Sequence, residues 1–377
     1  MWGFIFGGMA LGAISGAFFL WTRFQKFGIV RKLSGDRKWL RRVLALIPML
    51  IFGVFLFISP INAVIVLVHM AVYWALAELI AFVIRKLRKE APGKEKKEAK
   101  DGRIRPYLVG IIVLCIELVY FSSGWYFAHH VAEKDYQIET TKDLGREKLR
   151  IAQITDSHIG ATFDGEGFAG HLKKIQETHP DILVITGDFV DDSSTREDLY
   201  RCATALKDFE APLGKYFVYG NHDKGYFRNR DFSADDLEAV LSDYAGVEVL
   251  TDGVKLVDDK VYIVGRNDFS NKNRVSIDKI LSLLDPSKYI VVLDHQPTDF
   301  DAEANAGADL VLCGHTHGGQ MLEMNLVGNL MGVNDKVYGM ETRDNTTFIV
   351  SSGISDWAIG FKTGTESEFC VIDIRQK

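Results

Sequence analysis

Residues of types that commonly bind metal ions follow five apolar segments in the second half of the sequence. Each segment is short and rich in Val, Ile and Leu, a composition typical of buried strands. The residues that follow are Asp156 and His158 after LRIAQIT, Asp188 after DILVIT, Asn221, His222 and Asp223 after KYFVYG, His295 after YIVVLD, and His315 and His317 after ADLVLCG. Because ligands of open α/β sheets collect at the carboxyl ends of strands, we expect these side chains to meet.

The donor set combines carboxylates, imidazoles and one amide, without a thiolate. This composition favours Mn²⁺, Fe or Zn²⁺ over a structural zinc site, and the set is too large for one ion. We predict two divalent metal sites, one with Asp156, His158, Asp188 and His317, the other with Asp188, Asn221, His295 and His315. The Asp188 carboxylate would bridge two cations about 3.5–4 Å apart, which can hold a hydroxide for in-line attack on phosphorus.

His222 lies next to a predicted ligand without being needed as one. We predict that it protonates the leaving oxygen or stabilises charge in the transition state. Asp223 is predicted to fix the His222 tautomer, as carboxylates commonly do for imidazoles. We expect His171 and His179 to be solvated on a surface helix.

The ordered motifs DSH, GD, GNHD, a single His after a strand, and GHTHGGQ resemble those of the calcineurin-like metallophosphoesterase superfamily, from about Leu149 to Ile374. The resemblance implies a four-layer α/β/β/α sandwich with mixed sheets and an enzyme that cleaves a phosphoester, phosphodiester or pyrophosphate bond. GHTHGGQ after a membrane region is similar to the bacterial membrane-associated branch, which includes relatives of UDP-diacylglucosamine pyrophosphatases. The sequence departs from the pattern at Asp294, before His295, and in the segment SSGISDWAIGFKTGTES that begins at Ser351, where only Lys362 offers a positive charge to a bound phosphate.

Helical stretches separate the predicted strands and must position these motifs. They lie near Gly167–Thr178, Thr195–Phe209, Ala234–Tyr244, Ser276–Leu284 and Phe300–Ala306. This alternation predicts an α/β domain, and the hairpin-like VKLVDD and KVYIVG segments predict that its sheet is mixed. We place the domain at residues 149–377, after a polar connector at residues 131–148 and a membrane region at residues 1–130.

Charge divides the 377 residues into two parts. Residues 1–150 carry 23 Lys and Arg against 12 Asp and Glu, whereas residues 151–377 carry 21 against 38. The acidic second part excludes nucleic acid as a partner, because phosphate binding needs a basic surface. The four cysteines exclude a disulfide scaffold and are expected to be buried thiols.

The basic part contains four apolar segments long enough for membrane spans of about 20 residues. They run from Met1 to Trp21, from about Val43 to Ile58, from about Ile61 to Ile84 and from about Tyr107 to Phe127. The sequence Ser59-Pro60-Ile61-Asn62 predicts a tight helical hairpin between the second and third spans. In the first span, Gly8, Gly12 and Gly16 would allow close approach of another helix.

Two strongly basic loops predict the orientation in the cell membrane. The loop before the second span has eight basic residues against one acid, and the loop RKLRKEAPGKEKKEAKDGRIR has ten against four. The positive-inside rule places both loops in the cytoplasm, so everything after Phe127 is predicted to be extracytoplasmic. A site held close to a lipid bilayer favours a phosphate ester that is lipid-linked or part of the cell envelope.

Two other classes of function stay open on the sequence. A non-catalytic metal-binding module could retain the phosphoesterase fold, although the complete ligand set argues against it. A transporter or channel formed by the membrane region is disfavoured because its polar content is small: His69, Glu78 and Glu117. We expect Glu117 to hold helices together through His69 or the backbone. His129 and His130 flank the last span and are expected to be interfacial.

Overall fold

The computed structural model describes residues 2–90, 107–225 and 230–377, and their side chains except at positions 2–7, 9–10, 88–90, 327, 329 and 331. The chain divides into two compact units, Met1–Ser122 and Ser123–Lys377. Most of the second basic loop lies outside the described residues.

The first unit is helical throughout its described part. Its helices are α1 (Trp2–Phe24), α2 (Gly28–Ser34), α3 (Lys38–Leu44), α4 (Ile47–Ile58), α5 (Pro60–Glu90) and α6 (Leu108–His129), which ends in the second unit. The predicted hairpin break is confirmed: α4 ends at Ile58, Ser59 has a non-helical backbone, and α5 begins at Pro60. Proline is tolerated there because the first turn of a helix needs no N–H donor.

Three helical segments among the residues searched are long and apolar enough to cross a membrane, one fewer than the four predicted: Lys38–Ile58, Pro60–Leu87 and Leu108–His129. The first predicted span is helical as α1, but the side chains of its first turns are not all described, so its role as a span stays a prediction. The second span begins earlier than predicted and contains the short break between α3 and α4.

Polar contacts inside the first unit join α5 to its neighbours. The His69 Nδ1 atom lies 2.9 Å from Glu117 Oε2, and both residues are buried. This contact agrees with the expectation that Glu117 holds α6 to α5. Of Gly8, Gly12 and Gly16 in α1, Gly16 meets α5 closely, since a Cβ there would lie 2.9 Å from Leu67, whereas Gly12 has open space around it.

The second unit contains two six-stranded mixed sheets. The first sheet has the order β1 (Val131–Thr140), β12 (Ser367–Gln376), β2 (Lys148–Ile154), β3 (Ile182–Thr186), β4 (Lys215–Val218), β5 (Glu248–Val249). The second has the order β10 (Gly339–Arg343), β11 (Thr346–Val350), β9 (Leu310–Cys313), β8 (Tyr289–Leu293), β7 (Val261–Gly265), β6 (Gly253–Val257). The strands β2, β3, β4 and β5 are parallel, as are β7, β8, β9 and β11.

Helices cover the outer faces of both sheets. They are α7 (Gly165–Gln176), α8 (Arg196–Asp208), α9 (Ala234–Ala239) with a π-helical turn (Val240–Tyr244), α10 (Ile277–Leu281) and α11 (Phe300–Ala306). A further helix, α12 (Leu322–Met331), follows the short helical turn His317–Gly319. Side chains of Asp164, Thr195 and Ser233 cap the first three. One apolar core packs α7, α8 and α9 on the first sheet, a second lies between the sheets, and a third packs α10 and α11 on the second sheet. The predicted four-layer α/β/β/α sandwich is confirmed.

The segment predicted as a polar connector contains a strand. All ten residues of β1 pair in parallel with β12. Only Val131, Tyr136 and Ile138 of this strand are buried. The charged sequence Glu133-Lys134-Asp135 is exposed on this edge of the sheet, so the segment has the composition of a linker.

Two smaller expectations differ in the structure. Cys202, Cys313 and Cys370 are buried free thiols as expected, but Cys115 is exposed on α6. His171 is half-buried against the ring of Phe163 rather than solvated, and burial lowers the pKa of His171 to about 4. His179 is exposed.

Candidate metal centre

Each predicted ligand lies just after the carboxyl end of a central strand. Asp156 and His158 follow β2, Asp188 follows β3, Asn221 follows β4, His295 follows β8, and His315 and His317 follow β9. The first three strands belong to one sheet and the last two to the other. The candidate site is therefore built by both sheets, with the ligands brought together from segments up to 161 residues apart in the sequence.

The backbone at these positions is strained. Twelve described residues other than glycine have positive φ, and five of them are predicted ligands: Asp156, His158, Asp188, His315 and His317, with φ between 37° and 71°. Such conformations are unfavourable for residues with a Cβ and cluster at functional sites. This backbone conformation directs each side chain away from its strand and toward the other predicted ligands.

A first group of donors comprises Asp156, His158 and His317, whose ligand atoms all lie within 4.8 Å of one another. His317 Nε2 is 3.6 Å from Asp156 Oδ1, while His317 Nδ1 faces the Ser355 carbonyl oxygen at 3.3 Å. The backbone N–H of His315 donates to both oxygens of Asp156, at 3.0 and 3.1 Å. These contacts fix the Asp156 carboxylate and the plane of the His317 ring.

A second group comprises Asp188, His295 and His315, again within 4.8 Å. The His295 Nδ1–H donates to the Thr186 carbonyl oxygen at 2.8 Å, so in the neutral ring, the form that binds a metal ion, Nε2 carries the lone pair. Burial alone would lower the pKa of His295, but the neighbouring Asp188 carboxylate holds it well above its usual range.

Asp188 lies between the two groups. Its Oδ2 atom is 3.6 Å from His158 Nε2 and 3.1 Å from His295 Nε2. Burial would raise the pKa of Asp188, but the charges of His295 and His158 hold it well below its usual range. A carboxylate oxygen facing one imidazole of each group is the arrangement expected of a residue that contacts two cations.

Asn221 lies in the loop after β4, and this loop contacts Asp188 through its main chain. The His222 N–H donates to Asp188 Oδ1 at 2.8 Å. The loop comes this close because residue 220 is glycine: a Cβ there would lie 2.2 Å from Asp188 Oδ1. Likewise, a Cβ at Gly314 would lie 2.3 Å from Asp156 Oδ2. These two motif glycines are needed for close approach to the carboxylates.

Asp191 is a site residue that our reading of the sequence missed. Its two oxygens contact two histidines, with Oδ1 lying 3.2 Å from His222 Nδ1 and Oδ2 3.3 Å from His158 Nδ1. His158, Asp191 and His222 form a third group of close donor atoms. The second carboxylate in the sequence GDFVD, three residues after Asp188, is the signal that could have revealed it.

Asp223 has a different role from the one predicted. Its carboxylate accepts four backbone N–H groups, from Asp188, Phe189, Val190 and Gly220, at 2.7–3.1 Å. The carboxylate beside His222 Nδ1 is that of Asp191. Burial and the nearby Asp188 charge raise the pKa of Asp223 to about 6. Asp223 thus ties the loop after β3 to the loop after β4.

The two departures from the motif pattern are both buried ion pairs. Asp294 lies 3.1 Å from Arg266 Nη1 and also contacts Arg274, so its charge is neutralised. Lys362 is fully buried, with Nζ 3.0 Å from Asp356 Oδ1 and donating to the Ser352 carbonyl oxygen at 2.7 Å. Lys362 is therefore not placed to contact a substrate phosphate, contrary to its candidacy in the sequence.

The buried donors fit divalent cations. The Nε2 atoms of His158 and His295 are buried and make no hydrogen bond to the residues that the structure describes. An unsatisfied buried nitrogen is costly, and each of these two faces a carboxylate oxygen. Cations bound between the imidazoles and carboxylates would satisfy both kinds of donor.

Comparison with known proteins gives the same family. The family model for calcineurin-like phosphoesterases matches residues 149–319. An uncharacterized metallophosphoesterase of Aquifex aeolicus is 35% identical over 190 residues, which are 49% of this chain and 69% of that protein. A transmembrane protein with metallophosphoesterase domain of Danio rerio is 25% identical over 293 residues, 73% of this chain and 64% of that protein.

A solved dimetal phosphatase from Danio rerio aligns with a TM-score of 0.37 and 12% identity, over 54% of this chain and 87% of that one. The match of the family model covers all five motifs, from Asp156 in the first to Gly319 in the last. This chain belongs to the calcineurin-like metallophosphoesterase family.

Proposed function

We propose that this protein is a membrane-anchored phosphohydrolase with two metal ions, which cleaves a phosphoester, phosphodiester or pyrophosphate bond. The position of Asp188 carries the proposal, because one of its oxygens faces an imidazole of each donor group. Asp156, His158 and His317 would hold one cation, Asn221, His295 and His315 the other, and Asp188 both. The bound cations would supply Lewis-acid stabilisation of phosphoryl charge and a nucleophile at neutral pH.

His222 is proposed to act on the substrate. Its Nδ1 atom is directed to Asp191, so the proton delivered to a leaving oxygen would be the one on Nε2. Asp191 would hold the ring in this orientation. Asp223 is proposed to act indirectly, because its carboxylate orders the backbone that carries Asp188 and His222.

A substrate that is lipid-linked or part of the cell envelope is the finer proposal. Support comes from the short connection between span and domain: α6 ends at His129, and β1 begins at Val131. A tether of one residue keeps the domain near the bilayer surface. We propose that this surface is the extracytoplasmic one, because both basic loops of the membrane region favour the cytoplasm.

Asp188→Asn in the purified full-length protein tests the proposal. We expect metal content to fall, with metal affinity reduced at least about 10–100-fold, and turnover to be lost. The substrate panel contains an aryl phosphate, an aryl phosphodiester, a nucleotide-sugar diphosphate and a phospholipid, each assayed with Mn²⁺. The matched control is Asp208→Asn, on the exposed last turn of α8.

Two results would contradict the proposal. One is absence of turnover of every substrate by the metal-loaded wild-type protein. The other is unchanged metal content in Asp188→Asn, which would show that the carboxylate does not contact the cations.

A further inference from the structure

Helix α12 exposes an apolar surface that the proposed reaction does not use. Leu322, Leu326 and Leu330 are spaced four residues apart, so they share one face of the helix. Their exposed fractions are 47%, 57% and 87%, and Val333, just after the helix, is 65% exposed. We call these four residues the α12 surface. Between Met321 and Val333 the sequence has one charged residue, Glu323.

The rest of the second unit holds α12 next to the candidate metal centre. The Asn325 side chain, on another face of the helix, donates to the Gly318 carbonyl oxygen at 2.9 Å, in the turn that carries His317. After the helix, the Asp335 N–H donates to the Pro297 carbonyl oxygen at 2.8 Å, two residues from His295. The helix is therefore fixed at both ends to segments that carry predicted ligands.

The same helix is connected to the end of α6, the last candidate membrane span. The Thr363 hydroxyl accepts the Leu322 N–H at 3.1 Å. A Cβ on Gly124 of α6 would lie only 2.7 Å from Thr363 Cγ2, and the Lys362 N–H donates to the Gly124 carbonyl oxygen at 2.9 Å. Thr363 thus lies between the first residue of α12 and the last turns of α6, all within the second unit.

Those last turns have the composition of a membrane interface. Trp125 and Tyr126 are 55% and 49% exposed, and tryptophan and tyrosine are enriched where a span leaves the hydrocarbon. The 22 residues of α6 measure about 33 Å at 1.5 Å per residue, slightly more than a hydrocarbon core of about 30 Å. The end that contacts Thr363 is therefore expected at the depth of the lipid headgroups.

We propose that the α12 surface lies in the interfacial region of the bilayer and positions the metal centre at the membrane surface. Its leucines and valine would enter the boundary between headgroups and acyl chains, and Trp357, which is 42% exposed and lies 5.1 Å from the His222 ring, would lie beside them. The occupant is lipid because the four residues of the surface are apolar, the segment from Met321 to Val333 has one acid and no base, and it is attached to the end of a span.

Quenching by spin-labelled lipid tests this inference in the full-length protein. In a Cys115→Ala background, Leu326→Cys and Leu330→Cys are labelled with bimane and reconstituted into phosphatidylcholine vesicles containing doxyl-phosphatidylcholine. We expect at least a twofold loss of emission relative to the same label at Leu283→Cys. Leu283 is a matched control because it is 85% exposed in the turn after α10.

A second variant separates insertion from an effect of the label. Adding Leu330→Glu to labelled Leu326→Cys should reduce the lipid quenching toward the value at Leu283, since a carboxylate opposes insertion. Equal access of aqueous iodide to positions 330 and 283 would overturn the inference. A second result would also overturn it: the labels are protected from both lipid and aqueous quenchers, and unlabelled Leu330→Cys forms a disulfide between two chains. A second copy of the chain would then cover the α12 surface. Quenching requires no turnover, so an inactive protein with quenched labels would refute the proposed function alone.

Discussion

The carboxylate that orients His222 is that of Asp191, and not that of Asp223, its neighbour in the sequence. Asp223 is next to His222 along the chain, yet it binds four backbone N–H groups. Asp191 is 31 residues from His222 and lies beside its Nδ1 atom. Because Asp191 also contacts His158, one residue orients both a predicted ligand and the predicted proton donor.

Replacing His222 should separate chemistry from metal binding. We expect His222→Ala to retain metal content and thermal stability while turnover falls by about 10²–10⁴-fold. The loss should be smaller for a nitrophenyl ester, because a good leaving oxygen needs no proton. Steady-state kinetics with a series of aryl leaving groups measures this dependence. An equal loss across the series would indicate that His222 stabilises the non-bridging oxygens, and loss of metal would make it a ligand.

Replacing Asp223 should act on stability first. Asp223→Asn leaves one acceptor oxygen for four backbone donors, and its NH₂ group opposes the others. We expect destabilisation by about 2–4 kcal/mol, which is a fall in melting temperature of about 5–15 °C at roughly 2–4 °C per kcal/mol. Differential scanning fluorimetry with Asp208→Asn as control measures it. An unchanged melting temperature together with lost turnover would instead indicate that Asp223 acts directly in the reaction.

Among the secondary-structure elements, the five strands that precede the motifs end within about two residues of the apolar segments in the sequence, and buried ion pairs hold the loops after β8 and β11. The segment from Ser352 to Lys362 lines the His317 side of the site, and its Lys362–Asp356 pair is enclosed in the fold. Truncating one partner of such a pair leaves the other charge buried and uncompensated. The conformation of the loop after β11 therefore depends on an ion pair that is fully buried.

A cross-strand ion pair joins β12 to β2 and should give a pH-dependent contribution to stability. Arg150 binds both oxygens of Asp373, at 2.7 and 2.9 Å, and these hydrogen bonds hold the pKa of Asp373 below its usual value. A lowered carboxylate pKa stabilises the fold above the unfolded value of about 3.9 and loses this contribution as the pH falls through the folded value.

We expect Asp373→Asn to lower stability at pH 7 by about 0.5–1.5 kcal/mol, since the pair is partly exposed. The difference from the wild type should shrink as the pH falls below about 4. Melting temperatures of both proteins at pH 7, 5 and 3.5 measure it. A difference that is constant with pH would mean that packing, and not charge, is responsible.

At the scale of the whole molecule, a basic helical unit precedes an acidic enzyme-like unit, and α6 runs from one to the other. The His69–Glu117 contact lies in the first unit, and the candidate metal centre in the second. The proposed function assigns anchoring to the first unit and chemistry to the second. Under this proposal, the side of the membrane on which the second unit lies decides which substrates can reach the site.

The predicted orientation can be read by cysteine labelling in cells. In the Cys115→Ala background, a membrane-impermeant maleimide should label Glu166→Cys on α7 in intact cells. Lys32→Cys, exposed on α2 in the first basic loop, should react only after permeabilisation. The reverse pattern would place the catalytic domain in the cytoplasm and exclude an extracytoplasmic substrate.

The strands that precede the predicted ligands can be recognised from the sequence alone. Apolar runs such as YIVVLD are long enough to be buried strands, and the Asp or His that follows each must leave the sheet. The five motifs therefore predicted the fold class, the family and the donor set. Hydropathy likewise located the hairpin at Ser59-Pro60, because proline cannot continue a helix.

The contacts between these groups, in contrast, depend on the three-dimensional fold. The pairing of Asp191 with His222, the burial of Lys362, and the strand β1 in a charged segment all depend on neighbours far away in the chain. Local periodicity does not encode such contacts. An exposed edge strand has the composition of a linker, and nothing in the sequence distinguishes a buried lysine from a surface lysine. The fold supplies the partners that make these residues stable where they are.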